Sequence, residues 1–346
     1  MDMRQALERL CACTAPSGFE APAAAVAAEL LRPLVDEVSV DRMGNVLGVC
    51  RCGKEGAPRL LLDAHLDEIG LLVTGVEDGF LRFRSIGGVD PRMLPGRELV
   101  VLTDPPRRGI VTCPAGGEAD KSIPLSELFV DVGLSQTEAE RAVPVGTPMV
   151  YRGGCFALGE DQMCGKSMDD RSCFVTLLRA AELLRAAELL RDRELDVDLY
   201  LLGSTREEVS GAGATVGTWA VQPDFCVAVD VTHGKTPDGP ADKAFAIGGG
   251  PCIGVGPNMP RWMTNRMLAK AKERQIPYQL EVMSGHTGTN GWEMQISREG
   301  VATSVLSLPL KYMHSPIEVL SLADMEQVAA LLAAFTEGLG KEAARR

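Results

Sequence analysis

The stretch YLLGSTREEVSG, Tyr200 to Gly211, starts as an apolar run suited to a buried strand. It then breaks into Ser204, Thr205 and Arg206 before two adjacent glutamates, Glu207 and Glu208. Neighbouring side chains on a strand point to opposite faces, so two carboxylates side by side fit a bend at the strand's end. The pattern recurs along the chain. PRLLLDAHLDEIG carries His65 and Asp67 beyond the run Leu60 to Leu62, with Asp63 expected to make structural hydrogen bonds. FCVAVDVTHG carries Asp230, ATSVLSLPLKYMHSP carries His314, and Asp169 and Asp170 stand immediately before a long helical segment.

Working outward, these strand-like runs alternate with helix-like segments, which indicates an α/β fold with a mostly parallel sheet flanked by helices. Helices are expected at about Met3 to Cys13, Ala21 to Leu34, near Thr264 to Arg274 and near Leu322 to Leu339. A strand pair is expected in EVSVDRMGNVLGVC, joined by Met43-Gly44-Asn45. From Glu68 to about Leu158 the texture changes to short β-like runs such as GLLVTGV, FLRFRSI and LFVDVG, separated by Gly, Pro and Asp. This predicts a small inserted β-barrel at residues 68–158, dividing a catalytic domain of residues 1–67 and 159–346. The hexapeptide LLRAAE occurs twice, at Leu177 to Glu182 and Leu183 to Glu188. Six residues match neither a heptad nor a solenoid period, so the segment reads as one plain long helix covering the sheet. Met259 to Leu268 reads as helical core, and Gly248 to Gly250 as a turn rather than a phosphate loop.

The 346 residues are 45% hydrophobic and 24% charged, enough for one large core or two domains of a soluble protein. A net charge of −12 with no basic tract argues against nucleic acid and anionic membrane as partners. No apolar stretch reaches membrane-spanning length, and MDMRQALERLCACTAPSGFE carries acids and reads as a short helix rather than a signal peptide. A cytoplasmic protein is expected. The ten cysteines are scattered, and Cys11/Cys13 and Cys50/Cys52 lack zinc-knuckle spacing, so reduced, mostly buried thiols are expected.

Open α/β sheets bind ligands beyond the carboxyl ends of their strands. Acids and histidines gathered there repel one another unless a cation sits among them. Only four histidines occur in the chain, and two of them fall in this set. Carboxylate and imidazole donors suit zinc, cobalt or manganese, and a site that keeps open positions for water is catalytic.

AHLDEIG, IGGVDPRMLPGR, GKSMDDR, REEVSGAGA, AVDVTHG and YMHSPIEV, in this order and spacing, resemble the dinuclear-metal aminopeptidases of the glutamyl and deblocking aminopeptidase family. Some members of that family are labelled endoglucanase-like. The resemblance runs from APSGFE to the last helix. It implies a zinc-peptidase-like fold holding two divalent metal ions per subunit, zinc first, with cobalt or manganese also suited. Asp169 would bridge the two ions, His65 and Asp230 would complete one site, and Glu208 and His314 the other. Glu207 would be the general base toward a metal-bridged water, and Asp67 would fix the His65 imidazole. The substrates implied are peptides with a free N-terminus. Self-association into dimers through the barrel, and into a hollow tetrahedral shell, is implied as well.

Gly288-Thr289-Asn290-Gly291, followed by Trp292-Glu293-Met294, stands where such relatives usually have Gly-Thr-Asp-Ala. His286, Asn290 and Trp292 are therefore expected around an altered substrate pocket, with the ligands themselves intact. Arg206 and Ser210 also replace the more usual Gln and Gly, and His233 is expected beside the ligands. Two other readings compete. Glycoside hydrolysis is disfavoured because it needs no metal and the chain has only three tryptophans and four tyrosines for sugar stacking. A catalytically silent shell or binding protein is disfavoured because all five ligands and the base are present.

Overall fold

Leucine- and valine-rich runs whose polar residues are confined to their ends can be buried on both faces, which is what the central strands of a parallel sheet require. A computed structural model describes residues 1–114, 123–189, 195–237, 239 and 243–343. The chain opens with α1 (Met3–Cys11), α2 (Ala21–Leu31), β1 (Glu37–Val40), β2 (Val46–Cys50) and β3 (Arg59–His65). Next come β4 (Gly70–Glu77), β5 (Phe80–Ile86), β6 (Glu98–Val101), β7 (Arg107–Thr112), β8 (Phe129–Asp131), α3 (Gln136–Ala142) and β9 (Pro148–Tyr151). They are followed by β10 (Cys155–Leu158), β11 (Gln162–Gly165), α4 (Met168–Leu189), β12 (Asp198–Ser204), α5 (Glu207–Ser210), α6 (Ala212–Val221) and β13 (Phe225–His233). The chain closes with β14 (Cys252–Val255), α7 (Arg261–Glu273), β15 (Gln279–Val282), α8 (Gly291–Met294), β16 (Ala302–Leu310), β17 (Glu318–Ser321), α9 (Leu322–Thr336) and α10 (Leu339–Ala343).

The main sheet has the strand order β1-β2-β12-β3-β13-β16-β14-β15. Its centre, β12-β3-β13-β16, is parallel throughout, while β1 and β2 at one margin are antiparallel. Register places Ser204 beside His65 and Asp230 beside Ser307. The carboxyl ends of the central strands therefore open on one edge. α1, α4, α7 and α9 cover one face with a core that includes Leu60, Leu62, Phe174, Leu306 and Phe335, and α6 and α8 cover the other around Leu61, Leu202 and Met294. Each fully buried leucine, such as Leu61, stabilises the fold by roughly 2 kcal/mol.

The predicted barrel is closed, in the order β4-β5-β8-β7-β6-β9, around a core of its own that includes Leu71, Phe83, Val101 and Val130. It ends at Tyr151. Cys155–Leu158, expected in the insertion, instead pairs with β11 across a short hairpin, and β11 pairs with β17. Both LLRAAE copies lie in α4, with Leu177, Leu178, Ala181 and Leu184 buried. α2 stops at Leu31, ahead of Pro33, and the expected last helix is split where Gly338 takes a φ of +70°. Met259, Met263 and Met267 are buried, as expected, and Gly248 and Gly250 form a turn whose N–H groups donate to Asp324. Residues 115–122, within the expected insertion, and 190–194, at the end of the expected long helix, lie outside the described residues.

Candidate metal centre and active site

β12 ends at Ser204, and Arg206, with a φ of +60°, turns the chain into the single helical turn α5. The bend expected from two adjacent glutamates is therefore present. Asp67, fully buried beyond the end of β3, holds that turn in place: its Oδ1 accepts from the Glu207 N–H at 3.1 Å and its Oδ2 from the Glu208 N–H at 3.2 Å. Oδ2 also accepts from the Ser17 hydroxyl at 2.5 Å. His65 Nδ1 lies 3.2 Å from the main-chain oxygen of Asp67 and 3.4 Å from its Oδ1. Nδ1 is thereby directed at Asp67, and Nε2 faces Asp169, the side on which a cation would be held.

Asp169 lies in the lead-in to α4, where the backbone at Asp169 and Asp170 is not helical. Its carboxylate is central. Oδ1 is 3.2 Å from His65 Nε2, and Oδ2 is 3.4 Å from His314 Nε2. Glu208 Oε2 is 3.3 Å from the same His314 nitrogen. The ligand atoms of His65, Asp169 and Asp230 fall within 4.8 Å of one another, and so do those of Asp169, Glu208 and His314. All five residues expected as ligands are thus brought together, with Asp169 common to both groups. Glu207 Oε2 sits 3.9 Å from His65 Nε2 and faces the same cavity of about 410 Å³.

The electrostatics of this cluster are those of an unmet need for positive charge. Burial, reinforced by Glu208, Asp169 and Asp67, pushes the Glu207 carboxyl up to about 8, although His65 pulls the other way. Burial likewise raises Asp230 and Glu208. Burial alone would discharge the imidazoles, yet Asp169 and Glu208 push His314 up to about 11, and Asp169 and Asp67 raise His65. Protons collect where carboxylates crowd. Divalent cations would supply the same charge directly, and the imidazole-plus-carboxylate donor set fits them.

Three further groups received no role from the sequence. Glu318, buried at the start of β17, accepts from the N–H groups of Met168 at 2.7 Å, Asp169 at 3.2 Å and His314 at 3.0 Å, fixing two of the expected ligands from behind. Asp170 Oδ2 accepts from the His65 N–H. Glu293 lines the cavity.

The residues expected around a substrate pocket separate. His286 lines the cavity and stacks on Trp292, with ring centroids 4.4 Å apart. Asn290 is buried and donates from Nδ2 to Asp63 Oδ2 at 2.8 Å and to Ser204 Oγ at 2.9 Å, so Asp63 makes the structural bonds expected of it. His233, expected beside the ligands, is exposed and faces a neighbouring cleft with Arg92, Lys243 and Tyr312.

Residues 44–331 match the M42 glutamyl aminopeptidase family. The lysyl aminopeptidase of Pyrococcus furiosus is 33% identical over 325 residues, which cover 90% of each chain. A solved aminopeptidase structure from the archaeon Desulfurococcus kamchatkensis superimposes with a TM-score of 0.88 at 35% identity, covering 97% of this chain and 94% of that one. The TET1 peptidase of Pyrococcus horikoshii, described as assembling into a tetrahedron or a large octahedral shell, superimposes with a TM-score of 0.82 at 27% identity, covering 97% and 99%.

Proposed function

The chain belongs to the M42 glutamyl aminopeptidase family, and from that membership we propose that it is a dinuclear metallo-aminopeptidase releasing the first residue of peptides. His65, Asp169 and Asp230 would hold one divalent cation, and Asp169, Glu208 and His314 the other. When bound, the pair supplies Lewis-acid polarisation of the peptide carbonyl and acidification of the attacking water. Zinc, cobalt and manganese all suit the donors. The observation that carries the reading is the Asp169 carboxylate, with an imidazole on each side, one shared arm between two ligand groups.

The protein's own part is positioning and proton transfer. Asp67 fixes the tautomer of His65 and, through the Glu207 and Glu208 amides, the distance between them. Glu207, which is outside both ligand groups, takes the proton of the attacking water on its carboxylate. It then returns that proton to the departing amine nitrogen, so that the carbon–nitrogen bond breaks as water is added. Cationic charge beside it lowers its pKa from about 8, leaving a base at neutral pH. The substrate's free N-terminal amine is held among the surrounding carboxylates, which confines cutting to the first residue.

Glu207→Gln tests this assignment. Turnover of leucine anilide should fall by roughly 10²–10⁴-fold while bound divalent metal is retained. An unchanged kcat removes Glu207 as the base.

We further place the closed barrel of β4 to β9 in control of access and of assembly into dimers and a larger shell. Sedimentation of the purified protein as a monomer would count against that. Among the described residues no helix is long and apolar enough to cross a membrane. The free thiols, Cys11 and Cys173 among them, fit the reducing cytoplasm, and fractionation with exported proteins would overturn that placement.

A further inference from the structure

Among the acids facing the cavity, Glu293 on α8 stands apart from the metal ligands and the base. Its carboxylate lies against the turn that carries Glu207 and Glu208. A Cβ added to Gly211, where that turn ends with a φ of +63°, would come within 2.8 Å of Glu293 Cγ and Cδ. Glycine there is what gives the glutamate its place. The carboxylate makes no ion pair among the described residues, and the residues lining the cavity include no lysine or arginine. The imidazole beside it does not fill that role. His286 Nδ1 accepts the Gly288 N–H at 3.0 Å, and the ring stacks on Trp292. Glu293 thus offers an incoming side chain a carboxylate that no lysine or arginine of the cavity lining engages.

We infer that Glu293 selects peptides whose first residue is basic, its carboxylate pairing with the lysine ammonium or arginine guanidinium. This inference rests on the aminopeptidase reading above and names its substrate class. The apolar lining, Val209, Val231 and Met313, gives the aliphatic stem of such a side chain a surface to cover while its head stays polar. A half-buried carboxylate with no lysine or arginine beside it gains from a cation, because charge pairing strengthens as water is excluded. A glutamyl or aspartyl side chain would meet like charge in the same place and is disfavoured.

The test uses metal-loaded enzyme and anilides of lysine, arginine, norleucine, leucine and glutamate. Norleucine keeps the lysine stem without its charge, so the lysine-to-norleucine ratio of kcat/KM isolates the ion pair in the wild-type protein. It should be roughly tenfold or more, and in Glu293→Gln it should fall close to one. In Glu293→Lys, glutamate should rise above norleucine. Equal lysine and norleucine turnover in the wild type, or a ratio that survives in Glu293→Gln, overturns the inference and leaves the aminopeptidase reading standing. No turnover of any free-amine anilide overturns both.

Discussion

Asp169 owes its position to a residue that sequence reasoning passed over. The Glu318 carboxylate gathers the N–H groups of Met168, Asp169 and His314, so one buried acid sets where two of the proposed ligands stand. That His65, Asp169, Glu208, Asp230 and His314 would converge was legible, because acids and histidines at the ends of apolar runs advertise a shared edge. Glu318 was not, since a glutamate opening a short strand reads as solvent-facing until the fold turns it inward. Glu293 was masked in the same way by its neighbour Trp292. Asn290 shows the limit from the other side. It is near the cavity, as its sequence context suggested, yet it is buried and clips Asp63 to Ser204. Asn290→Asp would replace that donor with a second carboxylate and should cost roughly 2 kcal/mol of stability at pH 8. Burial already pushes Asp63 up to about 6, and an acid whose pKa is raised in the folded state loses stability as pH rises through that value. Denaturation curves should therefore show a smaller penalty at pH 5 than at pH 8, and an equal penalty at both would argue against a shared-proton pair.

At the scale of elements, the active edge is held by a buried cluster that joins the chain after β3 to the lead-in of α4. Glu68 accepts from Lys166 at 2.7 Å, from Arg171 at 3.1 Å and from the Ser167 hydroxyl, while Arg171 also donates to the main-chain oxygens of Leu10, Cys13 and Leu66. Despite burial, Lys166 and Arg171 pull the Glu68 carboxyl from its ordinary 4.5 down to about 2. For an acid depressed in this direction, the stabilisation is present above the unfolded value and is lost as pH falls through the folded one. Glu68→Gln should thus cost on the order of 3 kcal/mol at neutral pH, with the gap to wild type closing between pH 4.5 and pH 2. Urea midpoints measured across that range would show it, and a constant gap would refute it. The central strands were plain in the sequence because continuous apolar runs admit few other placements. β10, inside the expected boundary at about Leu158, lies outside the barrel, because a short run near a boundary reads alike in a barrel and in a hairpin and only pairing with β11 decides between them.

For the whole molecule, the change of texture after Glu68 announced a separate barrel, and a closed barrel is what forms. The sequence could not say that this barrel walls the active cavity. Gly88, in the loop after β5, approaches so closely that a Cβ there would lie 2.7 Å from His314 Nδ1, and Gly87 packs in the same way on Glu208. That contact is long-range and leaves no local signature. It means that the insertion and the acid and histidine cluster form one surface, consistent with the match of the family over both. The measurement that tests the account most directly is turnover of leucine anilide and its N-acetylated counterpart by protein stripped with chelator and then reloaded with zinc, cobalt or manganese. A dinuclear metallo-aminopeptidase should give no turnover when stripped, recovery on reloading, and hydrolysis of the free-amine substrate alone. Turnover that survives complete removal of metal, or acetylated substrate cut as fast as the free amine, would contradict it.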